Sequence, residues 1–91
     1  MLELDSTNMQ KEIDALQIRV EALKDKLRES GKYFDADQAA VDRIEEHKNQ
    51  LASRLSGAVR ADAWNSIRSD FLADWNSVVV DLELLEKRLY E

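Results

Sequence analysis

Apolar residues at Met9, Ile13, Leu16, Val20, Leu23 and Leu27 follow one another at intervals of 4, 3, 4, 3 and 4 residues. That rhythm keeps them on one stripe of an α-helix and marks an a/d heptad seam. Thr7 with Gln10 three residues on has the form of a capping box, and Gly31 supplies a residue that reaches a left-handed stop without strain. The pattern predicts a first helix over residues 7–30. Ile18, between Ala15 and Ala22, lies opposite its seam.

The second apolar face collects Ala40, Val41, Ile44, Leu51 and Leu55 and predicts a helix over 35–56, with Asp35 as its cap and Gln38 completing a capping box. It is the thinnest face of the three. In the linker before it, Tyr33 and Phe34 read as rings covering the end of a core.

The third segment, predicted over 62–90, repeats itself: Trp64-Asn65-Ser66-Ile67 and then Trp75-Asn76-Ser77-Val78, eleven residues apart. At 100° per residue an eleven-residue step returns to within about 20° of its starting direction, so the two tryptophans share one stripe. Ile67, Phe71, Val78, Leu82, Leu85 and Leu89 fill that stripe, while the asparagines and serines fall on the other side. The repeat is explained by core packing, not by a recognition motif. Leu72, Val79 and Tyr90 widen the stripe, which predicts that this helix buries more of its circumference than the others and is the central element. An eleven-residue period does not match a heptad seam, so the first and third helices cannot form one regular coiled coil along their whole length.

Between the second and third segments the only helix breaker is Gly57. Carried through without interruption, the second apolar face would point about 180° away from the third, and one small monomer could not bury both. A break near Gly57, with Asp62 capping the next helix, lets the faces meet. The chain is therefore expected to be all-α, an antiparallel up-down-up three-helix bundle with coiled-coil-like packing and a single domain over 1–91. The alternative is a helix-swapped dimer in which helices two and three stay continuous.

Composition narrows the function. Ninety-one residues bury only about 60 to 65% of the surface of the unfolded chain, which leaves little room for a deep cleft. There is no cysteine, hence no disulfide, thiol nucleophile or thiolate metal site. No apolar run approaches the roughly 18 residues that span a bilayer, and "MLELDSTNMQ" carries acid where a signal peptide carries base, so a cytoplasmic protein is expected. The formal charge of −6 opposes binding to nucleic acid or to an anionic membrane.

His47 is the only histidine, and position 44, where a Glu-x-x-His metal motif would need its carboxylate, is isoleucine. A partly buried, structural histidine is expected, with no metal, cofactor or catalytic residue. No glycine-rich phosphate loop or nucleophile, base and orienter set can be assembled, so no enzyme is expected. A lipid-surface helix is disfavoured because Ala61 to Glu91 holds seven acidic against three basic side chains. An acidic mimic of nucleic acid that binds a basic protein is the stronger alternative, although the acid is interleaved with base in the first two segments.

What remains is a non-enzymatic interaction or structural module. Val80 and Leu84 lie one turn apart on the back of the third helix, and Ile18 lies on the back of the first. These three residues are the expected contacts for a protein partner, whether a partner helix or a second copy in a homo-oligomer.

Overall fold

A computed structural model describes residues 6–29 and 35–90, the side chains of residues 35 and 36 excepted. Three helices account for nearly all of this: α1 (Ser6–Glu29), α2 (Asp35–Arg60) and α3 (Trp64–Tyr90). There is no strand among the described residues. The helices pack side by side into a body of 46 × 25 × 17 Å, and at about 1.5 Å per residue each is nearly as long as the body itself. Gly31, Tyr33 and Phe34, and the Asp35 cap with them, lie outside what is described.

α1 buries its whole seam, from Met9 to Leu27, at 3% exposure or less. At its start Gln10 reaches forward to Asp14 at 3.0 Å rather than back toward Thr7, and the helix already begins at Ser6. In α2 the buried positions are Val41, Ile44, Leu51, Leu55 and Ala58, together with Asp37. With half-buried Lys48 these positions follow one unbroken alternation of 4 and 3 residues from 37 to 58. The seam looked thin only because two of its positions are charged. Lys48 can occupy such a place because its methylenes cover apolar surface while the ammonium reaches water.

α3 buries Phe71, Trp75, Val78, Leu82 and Leu85, with Trp64, Ile67, Leu72, Val79 and Leu89 packed partly against the same core. Trp64 stands edge-on to Phe71 at 5.0 Å between ring centres, the favourable arrangement of two ring quadrupoles. From Trp75 onward the stripe advances by 3, 4, 3 and 4 residues, in the same rhythm as α1 and α2; only the stretch Trp64 to Trp75 departs from it. Tyr90, expected to widen the core, is 54% exposed instead. It follows Leu89 by one residue and so points about 100° away from the stripe, and its ring lies 4.7 Å from the Lys26 ammonium, a cation–π contact at the surface.

The central element is α2 and not α3. α2 packs closely against both other helices, whereas the α1 and α3 backbones approach each other at far fewer positions.

The chain does not break at Gly57. α2 runs through it to Arg60, and the turn that ends the helix is made at Asp62, whose φ of 54° is the only positive value among non-glycine residues described. The Ala63 N–H donates to the Ala58 carbonyl at 2.7 Å and the Asp62 N–H to the Val59 carbonyl at 3.1 Å. These two bonds define a Schellman motif with an aspartate at the left-handed position that glycine usually takes. Asp62 therefore ends α2 instead of capping α3. The cap of α3 falls on Ala63, whose carbonyl accepts from Ser66 and Ile67 but whose side chain offers no acceptor. The physical reason for the later stop is Ala58, which is 6% exposed and adds one more buried step to the α2 seam.

Candidate interaction surface

Ion pairs tie the helices together along their flanks. Lys24 of α1 reaches Glu45 of α2 at 2.8 Å, and the Gln17 amide donates to the same carboxylate at 3.1 Å. Hydrogen bonding from Lys24, then from Gln17, holds the Glu45 carboxyl below its ordinary value, and the same bond raises the Lys24 ammonium. Arg19 of α1 pairs with Glu86 of α3, and that hydrogen bond holds its guanidinium more firmly protonated. Arg54 meets Asp74 at 2.5 Å and Arg88 meets Asp37, both between α2 and α3. Asp37, the one buried charged residue described, thus has its counter-ion on another helix.

Against this background the side chains with no such task stand out. Val80 is 51% exposed, Leu84 62% and Ile18 71%. Val80 and Leu84 face outward from α3 because the helix turns its Trp stripe to the core, about half a circumference away. Leu84 also borders a groove of about 410 Å³ between α2 and α3. Ala40, Ile44, Leu84 and Leu85 form its apolar lining, and Arg43, Asp81 and Arg88 its polar one. The structure thus joins Leu84 to an apolar surface that continues onto α2.

Ile18 is not part of it. α1 meets α2 on the side of Gln17 and Lys24 and meets α3 on the side of Arg19 and Lys26, and Ile18 points away from both contacts. A lone exposed isoleucine of this kind is ordinary for a protein surface. Reasoning from apolar residues alone passed over Arg43, Asp81 and Arg88, the polar lining of the groove.

His47, expected to be partly buried, is exposed. The seam position next to it is taken by Lys48, so the imidazole lies about 100° off the stripe. Among the described residues no three His, Asp or Glu side chains gather to hold a metal ion. Among the described residues no helix is long and apolar enough to cross a membrane. No known protein family, no characterised protein and no solved structure matches the chain.

Proposed function

We propose that the protein is a non-enzymatic helical interaction module, built as an antiparallel up-down-up bundle with coiled-coil-like seams, that holds a protein partner through the back of α3. Two features support the topology: the α2–α3 pairs, Arg54 with Asp74 and Asp37 with Arg88, descend on one helix as they ascend on the other, and the buried residues repeat in heptad rhythm.

The observation that carries the function is the exposure of Val80 and Leu84 beside the apolar lining of the α2–α3 groove. A contiguous apolar surface left outside a core is costly in water and is the usual mark of a contact site. The acidic-mimic reading has less behind it, because Asp37, Glu45, Asp74 and Glu86 are engaged in holding the helices together.

Capture from the native source with the wild type and with the Val80→Glu/Leu84→Glu double variant, quantified by mass spectrometry, tests the reading. Both residues are exposed, so the variant keeps the fold. The reading expects proteins held by the wild type to be lost from the variant; identical recovery by the two would overturn the assignment of this surface.

A further inference from the structure

We draw no further inference here: the strongest candidate, the exposed apolar face of Val80 and Leu84 on α3 beside the α2–α3 groove, belongs to the interaction surface already described, and nothing in the structure shows what covers it, since the groove carries both signs of charge at Arg43, Asp81 and Arg88 and so favours no one occupant.

Discussion

Replacing Gly57 by alanine should make the protein more stable by about 0.5 to 1 kcal/mol. α2 runs through this position, and a Cβ placed on Gly57 meets nothing within 4 Å. The added methyl neither clashes nor becomes buried, so the gain comes from the smaller freedom of alanine in the unfolded chain. It stays below the full mid-helix value because the position is within a turn of the frayed end. Asp62→Gly should also stabilise, by a similar net amount. A left-handed backbone at φ 54° costs an L-residue about 1 kcal/mol or more, and the carboxylate stands at the negative end of the α2 dipole. The extra freedom of glycine in the unfolded chain offsets part of that relief. Urea titrations followed by far-ultraviolet ellipticity resolve both effects: with a slope near 1 kcal/mol per molar, each midpoint should rise by about 0.5 to 1 M. A Gly57→Ala variant destabilised by about 1 kcal/mol or more would mean that the left-handed residue is Gly57 and would refute the reasoning.

Three further outcomes follow from the packing. Trp75→Ala should cost about 3 to 5 kcal/mol, because the ring is 6% exposed in the core, and Trp64→Ala should cost less because that ring is only partly buried; thermal melts check both. Ala63→Ser should add about 0.5 to 1 kcal/mol by supplying the acceptor that the α3 cap lacks, again read from urea midpoints. Glu45 has a folded-state value below its ordinary one, so its pair with Lys24 contributes stability above about pH 4.5 that is lost as pH falls through the lower folded-state value. Glu45→Gln should therefore cost about 1 kcal/mol at neutral pH and flatten the stability profile below pH 4.5, measured by urea titrations across that range.

The seam of α1 was legible in full, because each of its six positions is apolar and a period shows itself when nothing interrupts it. The α2 seam was only half legible. Asp37 and Lys48 occupy two of its places, and no local pattern discloses that Asp37 is neutralised by Arg88, 51 residues away. The break was expected at Gly57 because glycine is the residue that reaches a left-handed conformation most cheaply. The chain instead places an aspartate there, after one more buried step at Ala58, and that choice depends on the neighbouring helices. The outward direction of Val80 and Leu84 could be read from helical phase alone. The groove beside Leu84 could not, since Ala40, Arg43 and Ile44 arrive from another helix.

The proposed function stands most directly on the back of α3 being a contact surface, and amide spectra recorded while a protein captured from the native source is added locate that contact residue by residue. The prediction is that shifts change at Val80 and Leu84, more weakly at Arg43 across the groove, and not at Ile18. Spectra left unchanged by the captured protein, or changes gathered around Ile18 on α1, would contradict it.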